Sequence, residues 1–144
     1  MWGWWWNRKG EEPGVESHRV GEWGERHAAR YLRRRAGMKI LGRRVRFGPR
    51  EELDLVACDG EVLVFVEVKT RRSEDFGRPS ASVDRDKQRV LSRAAVHYLR
   101  GLRYRPLYFR FDVVEVIGER LGGEPVIRHL PNVFTLDRRY QLPM

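Results

Sequence analysis

From Val20 to Ala36, small and apolar residues recur every three to four positions. Gly21, Ala28, Ala29 and Leu32 share one face, which predicts an amphipathic helix. Ser17 is placed to cap this helix and Gly37 to end it. Met38 to Arg46 fits a strand, and Glu52–Cys58 and Glu61–Lys69 flank Asp59-Gly60 as the two arms of a hairpin. The run Val62-Leu63-Val64-Phe65-Val66 is apolar at every position, so its strand belongs mid-sheet with both faces covered. Thr70 to Ser82 is polar, contains Gly77 and Pro79, and reads as a loop. Val83 to Leu99 predicts a second amphipathic helix that buries Val83, Val90, Leu91, Ala94 and Tyr98. Leu107 to Ile117 alternates as a strand, and a weaker strand covers Glu124 to His129. The order α-β-β-β-α-β-β predicts an α/β layer structure. Residues 1–16 lack periodicity and read as a tail, with the domain over 17–134 and a second tail over 135–144.

Composition narrows what such a domain can do. A chain of 144 residues can bury a real core. Lys plus Arg number 29 against 20 Asp plus Glu, a formal net charge of +9, and 25 of those bases are Arg. Arginine's rigid fork of donors suits phosphate oxygens, so the surplus points to a polyanionic partner. The lone Cys58 rules out a disulfide framework and a thiolate zinc site, and suits a reducing cytoplasm. His18, His27, His97 and His129 show no paired ligand spacing. No apolar run approaches the roughly 20 residues that span a bilayer, and the Trp2–Trp6 start is too short for a signal peptide. There is no Gly-rich phosphate loop. The expectation is a cytoplasmic protein that binds or processes something acidic, with no membrane partner.

Candidate chemistry comes from the acids. If Asp59-Gly60 forms a two-residue turn, Cys58 pairs with Glu61 and Asp54 lies opposite Phe65. Glu52, Asp54, Phe65, Glu67 and Lys69 then share one face, provided no bulge intervenes. Asp54 and Glu67 become diagonal neighbours, near enough to reach one ion. Two carboxylates on a largely apolar sheet repel and are costly to desolvate, a conflict that a divalent cation resolves. Mg²⁺ favours oxygen ligands and is often held by one or two carboxylates plus substrate phosphates. On the first helix, Leu32 lies within about 20° of Glu25, and Ala28 and Ala29 within about 60°, so Glu25 sits on the core-facing stripe. Taken alone, a Glu-x-Lys at a strand end is most often a solvated salt bridge. The convergence of three acids and one lysine from three segments is what favours a site.

These residues carry a resemblance. Gly21-Glu22-Trp23-Gly24-Glu25, Ala29-x-Tyr31-Leu32, Glu52-Leu53-Asp54-Leu55-Val56 and Phe65-Val66-Glu67-Val68-Lys69-Thr70-Arg71 resemble the YraN family of predicted endonucleases. The likeness continues through Phe76-Gly77-x-Pro79, Lys87-Gln88-Arg89, Ala94-Ala95 with Tyr98-Leu99, and Arg110-Phe111-Asp112-Val113-Val114, over about residues 19 to 134. That family is similar to the PD-(D/E)XK nucleases, including archaeal Holliday-junction resolvases. The resemblance implies a restriction-endonuclease-like αβββαβ core with a mixed central sheet flanked by helices. It matches Asp54 to the motif aspartate, Glu67 to the second acid, Lys69 to the lysine and Glu25 to the helical glutamate. It implies Mg²⁺ or Mn²⁺ dependence and cleavage of a DNA phosphodiester. Glu51 stands where a glycine is usual just before the Glu-hydrophobic-Asp motif.

The expectation is therefore metal-assisted hydrolysis, with Asp54, Glu67, the Val68 carbonyl and Glu25 around the ion and Lys69 beside the attacking water. Substrate binding falls to bases. Arg26 to Arg50 holds ten and no acid, and Arg85 to Arg110 holds eight and one acid. Arg43, Arg44, Arg46, Arg71, Lys87 and, more weakly, Gln88 are the candidate nucleic-acid contacts. Asp112 shares a face with Arg110 and is expected to form a structural ion pair. DNA is the expected partner, with RNA and the DNA structure preferred left open, and a symmetric homodimer is the preferred assembly. The rival reading is a nuclease-like fold that grips nucleic acid without cutting it. A third is a protein of anionic membrane surfaces that uses the Trp-rich tail.

Overall fold

The structure, a computed structural model, describes residues 13–72 and 83–136. Its elements are α1 (Pro13–Arg34), β1 (Lys39–Arg46), β2 (Glu52–Asp59), β3 (Val62–Arg71), α2 (Arg85–Arg100), β4 (Tyr108–Ile117) and β5 (Val126–Phe134). The Trp2–Trp6 start, the Phe76-Gly77-x-Pro79 motif and residues 137–144 lie outside the described residues. The strands stand in chain order, β1-β2-β3-β4-β5, in one sheet. β1, β2 and β3 form an antiparallel meander, β3 and β4 run parallel, and β5 returns antiparallel to β4. A parallel neighbour demands a long crossover, and α2 supplies it. This mixed five-stranded sheet between two helices is a restriction-endonuclease-like α/β fold.

The apolar run of β3 lies mid-sheet, with Val64, Phe65 and Val66 buried. Alternation along the strand divides its side chains between two layers. Val64, Val66 and Val68 pack with Ala28, Ala29 and Leu32 of α1, while Leu63 and Phe65 pack with Leu91, Ala94, Ala95 and Leu99 of α2. Gly24 sets how closely α1 approaches, because a Cβ there would lie 2.2 Å from Thr70 Cγ2. No helix among the described residues is long and apolar enough to cross a membrane.

Several boundaries differ from expectation for local reasons. α1 starts at Pro13, so Ser17 lies inside the helix instead of capping it. Proline favours a first helical turn, where its missing N–H has no partner to lose. Asp84 caps α2, accepting the Lys87 N–H at 2.8 Å. Val90 and Tyr98 are only half-buried, whereas Ala95, Val96 and Leu99 are buried. β5 continues past His129 to Phe134. Asp59 pairs with Val62 and Cys58 with Leu63, so the turn is Gly60-Glu61 and the expected Cys58–Glu61 register is wrong by two residues. Gly60 has φ 59°, as a two-residue hairpin with glycine first requires.

Candidate functional site

The β2–β3 ladder stops at the pair Leu55–Val66, although both strands continue beyond it. In that gap the Val68 N–H donates to Asp54 Oδ2 at 2.9 Å, so a side chain takes the place of a ladder partner. Alternation is also interrupted here. Leu53 and Val56, three residues apart, both join the α2-side core, while Leu55 joins the α1 side. β1 does the same opposite: Gly42 and Val45 lie on one side, a Cβ on Gly42 falling 2.9 Å from Val45 Cγ2. Arg44, between them, has φ 48°. The interruption sits between the pairs Arg43–Leu55 and Val45–Leu53, where Arg44 and Asp54 come opposite.

This corrects the expectation that Glu52 and Asp54 share a face with Phe65. Phe65 packs beneath α2. Glu52 and Asp54 instead gather with Glu25 of α1, and one oxygen from each of the three lies within 4.8 Å of the others. Glu67 approaches from the α2 side, within hydrogen-bonding reach of Asp54. Asp54 thus bridges the two groups. Glu25, Glu52, Asp54, Glu67 and Val68 all line one cleft of about 590 Å³, with Arg44, Arg46, Arg50 and Lys87 around it.

Electrostatics follow from burial among like charges. Burial, opposed by the hydrogen bond from Arg44, lifts the Glu25 carboxyl to about 7. Burial raises Asp54, although the Val68 N–H works against the rise. Glu67 rises well above its ordinary range, first through burial and then through the Asp54 charge beside it. Glu67 is 4% exposed, and its Oε2 has no hydrogen-bond partner. A buried carboxylate oxygen left without a partner is rare in a finished core. Together with an all-oxygen donor set, it fits a hard divalent cation such as Mg²⁺ or Mn²⁺.

The candidate cations fall into different situations. Arg44 Nε donates to Glu25 Oε2 at 2.6 Å, and Nη1 lies 4.0 Å from Glu22. Arg46 pairs with Glu52 at 2.6 Å. Lys87 Nζ stands 3.6 Å from Glu67 Oε1. Lys69 is half-buried and held below its ordinary value by burial, with Glu67 and Glu115 opposing the shift. Arg71 is buried 3.7 Å from Glu115. Gln88 donates from Nε2 to the Val83 carbonyl at 2.7 Å, fastening the start of α2. Arg43 lies outside the cleft on the exposed side of α1. Glu51 does not add an acid to the cleft lining, because His97 and Arg93 of α2 engage it at 2.6 and 3.7 Å. Asp112 is the expected structural pair, bonded by Arg110 Nε at 2.9 Å.

The sequence puts Glu52 on the hairpin without marking it as a neighbour of Glu25, and marks Arg44 only as a candidate phosphate contact. The signal for Glu52 was its place two residues before Asp54. Nothing local marked Arg44 as the partner of Glu25.

The chain is similar to known proteins over most of its length. A family model described as uncharacterised protein family UPF0102 matches residues 24–116. A UPF0102 protein of Syntrophotalea carbinolica is 48% identical over 118 residues, covering 82% of this chain and 93% of its own. One from Symbiobacterium thermophilum is 53% identical over 100 residues, covering 69% and 83%. A third, from Chlorobaculum tepidum, is 43% identical over 119 residues, covering 80% and 91%. The matched stretch contains Glu25, Glu52, Asp54, Glu67 and Lys69.

Proposed function

From the chain's membership of the UPF0102 family, the YraN-like family its motifs resemble, we propose that it is a metal-dependent nuclease hydrolysing DNA phosphodiester bonds. The observation that carries this reading is the cleft itself. It has three carboxylates within 4.8 Å, a fourth with an unpartnered buried oxygen, and a rim of arginine and lysine. Four acids crowded together and bordered by cations suit an ion at the centre and phosphates at the rim.

Asp54, Glu67 and the Val68 carbonyl, with Glu25 and Glu52, would hold Mg²⁺ or Mn²⁺. Such an ion supplies charge stabilisation at the scissile phosphate and acidifies a water molecule. The protein's own groups account for the rest. Lys87, on the rim near Glu67, binds a non-bridging phosphate oxygen. Lys69 orients the attacking water on the Glu67 side and steadies the charge that develops as a bridging P–O bond breaks. Arg44 and Arg46, held in place by Glu25 and Glu52, orient the strand. The Val68 N–H fixes the Asp54 carboxylate, so the ligand cage is set before substrate arrives.

The test incubates purified protein and Mg²⁺ or Mn²⁺ with labelled junction, flap, single-stranded and duplex DNA. Asp54→Ala and Lys69→Ala should each lower cleavage by about 100-fold or more. Undiminished cleavage by either variant would overturn the assignment. Metal-dependent binding without any cleavage would favour a non-cutting module.

A further inference from the structure

Among the described residues some arginines stand near a carboxylate and others do not, and five of the others cluster around one face of α1. Arg44, Arg46, Arg71, Arg72, Arg89, Arg93, Arg110 and Arg120 each stand near a carboxylate. Arg19, Arg26, Arg30 and Arg33, all exposed on α1, have no ion pair to any described residue, and neither has Arg43 beside them on β1. Spacings of seven, four and three residues place the α1 four on one side of the helix, opposite the buried stripe. With Arg43 and Arg120 they line a shallow trough of about 630 Å³ whose one acid is Glu22. Glu22 is itself engaged by His18 at 3.4 Å and by Arg44 at 4.0 Å, both of which line the acidic cleft. The trough therefore adjoins the cleft.

We propose that the outer face of α1 is the docking surface for the sugar-phosphate backbone of the nucleic acid whose strand enters the cleft. The inference rests on the nuclease reading for its substrate and assigns binding to residues that the cleft does not use. A solvated helix face ordinarily mixes signs, because like charges three or four residues apart repel. Arg26, Arg30 and Arg33 accept that repulsion with no acid among them to relieve it. Burial first holds His27 below its ordinary value, with Glu124 opposing the shift and Arg30 and Arg26 adding to it. From Arg19 to Arg33 the stripe extends about 21 Å, the rise of 14 helical residues. That is the length of about six base pairs of B-form duplex. Guanidinium forks aimed at phosphates carry no base code, so the contact is indifferent to sequence.

The test measures binding of labelled DNA, duplex and single-stranded, across a salt series with chelator present, so that cleavage plays no part. Arg26→Ala/Arg30→Ala/Arg33→Ala should weaken binding by about tenfold or more near 0.1 M salt. It should also flatten the dependence of log K on log salt by about three. Its Mn²⁺-induced thermal shift should match wild type, since no cleft ligand is touched. A control, Arg85→Ala/Arg100→Ala/Arg103→Ala, removes the same charge from α2 and the loop behind it and should lose much less. If the α1 variant fails to fold, Arg30→Glu alone should show the loss in smaller measure. Unchanged binding by the α1 variants, or an equal loss in the control, overturns the inference. So does preferential binding of wild type to phosphatidylserine vesicles that the α1 triple variant abolishes. Normal binding without cleavage would instead sink the nuclease reading and leave this surface standing.

Discussion

Asp112 and Glu67 lie on adjacent strands, one step of register apart, and each is almost completely buried. Their surroundings are opposites. Asp112 receives Arg110 Nε at 2.9 Å, His129 Nε2 at 2.7 Å and the Asn132 N–H at 2.9 Å. Burial works to raise its carboxyl, but these bonds outweigh burial and hold it below the ordinary value. Glu67 has a lysine 3.6 Å from one oxygen, nothing on the other, and a second acid beside it. A fold that wants a buried acid for structure supplies its donors from the chain. At Glu67 the donors are fewer and a second acid crowds the same place, so the two buried acids should respond in opposite ways to the same changes.

Truncation separates the two most strongly. Asp112→Ala would take the acceptor from His129 and the Asn132 N–H and leave Arg110 with Asp59 alone, and should cost about 3 kcal/mol in urea unfolding. Glu67→Gln keeps the shape and removes a buried acid crowded by Asp54. In chelated buffer it should be neutral or stabilising by about 1 kcal/mol. Equal losses at both positions would erase the distinction. Metal sharpens it next. Mn²⁺ at about 100 times its Kd should stabilise wild type by about 2.7 kcal/mol. Glu67→Gln and Asp54→Asn should lose that gain. Arg110→Lys, which disturbs only the Asp112 node, should keep it despite a lower starting stability. Differential scanning fluorimetry reads all three.

A packing change serves as a calibration smaller than these. Gly24→Ala places a methyl 2.2 Å from Thr70 Cγ2, against a β-branched side chain that must give way. The gain in helix propensity offsets part of the clash, so a net loss of about 1 kcal/mol is expected. Because Thr70 also lines the cleft, the apparent Mn²⁺ affinity of this variant should fall with its stability.

How far the sequence discloses this arrangement can be argued residue by residue. The unbroken apolar run of β3 announces a central strand, and the helical stripe puts Glu25 inward, because both depend on local periodicity. The hairpin is visible in Asp59-Gly60, but Asp59-Gly60 and Gly60-Glu61 are both acceptable two-residue turns. Shifting the turn by one residue moved the register by two and preserved parity. The break in alternation at Asp54 was hidden. It lies across the sheet from Arg44, whose φ of 48° is a conformation that an arginine does not advertise. Partner allocation was hidden as well. Arg44 and Arg71 counted among the basic candidates alongside Arg43, yet only the three-dimensional arrangement sets Glu25 and Glu115 against the first two.

Acidity distinguishes the two regions most finely, by giving them opposite slopes. In metal-free protein, Glu25 binds its proton up to about pH 7, whereas the unfolded chain releases it near the ordinary value of 4.5. Between those values the folded state holds the extra proton, so stability declines as pH rises and levels off above about 7. Asp54 and Glu67, both raised, act with the same sign. Asp112 is depressed, so its contribution is fully present above its unfolded value near 3.8 and is lost as pH falls through its lower folded value. His27, held below its ordinary value, works the other way, so chelated wild type should on balance be more stable at pH 5 than at pH 8 by about 1 kcal/mol. Glu25→Gln should flatten that decline while leaving acid unfolding below pH 4 in place. Saturating Mn²⁺ should remove the decline too, because the ion takes the place of the protons. A wild-type profile that rises from pH 5 to pH 8 in chelator would show that the cleft acids are as well neutralised as Asp112.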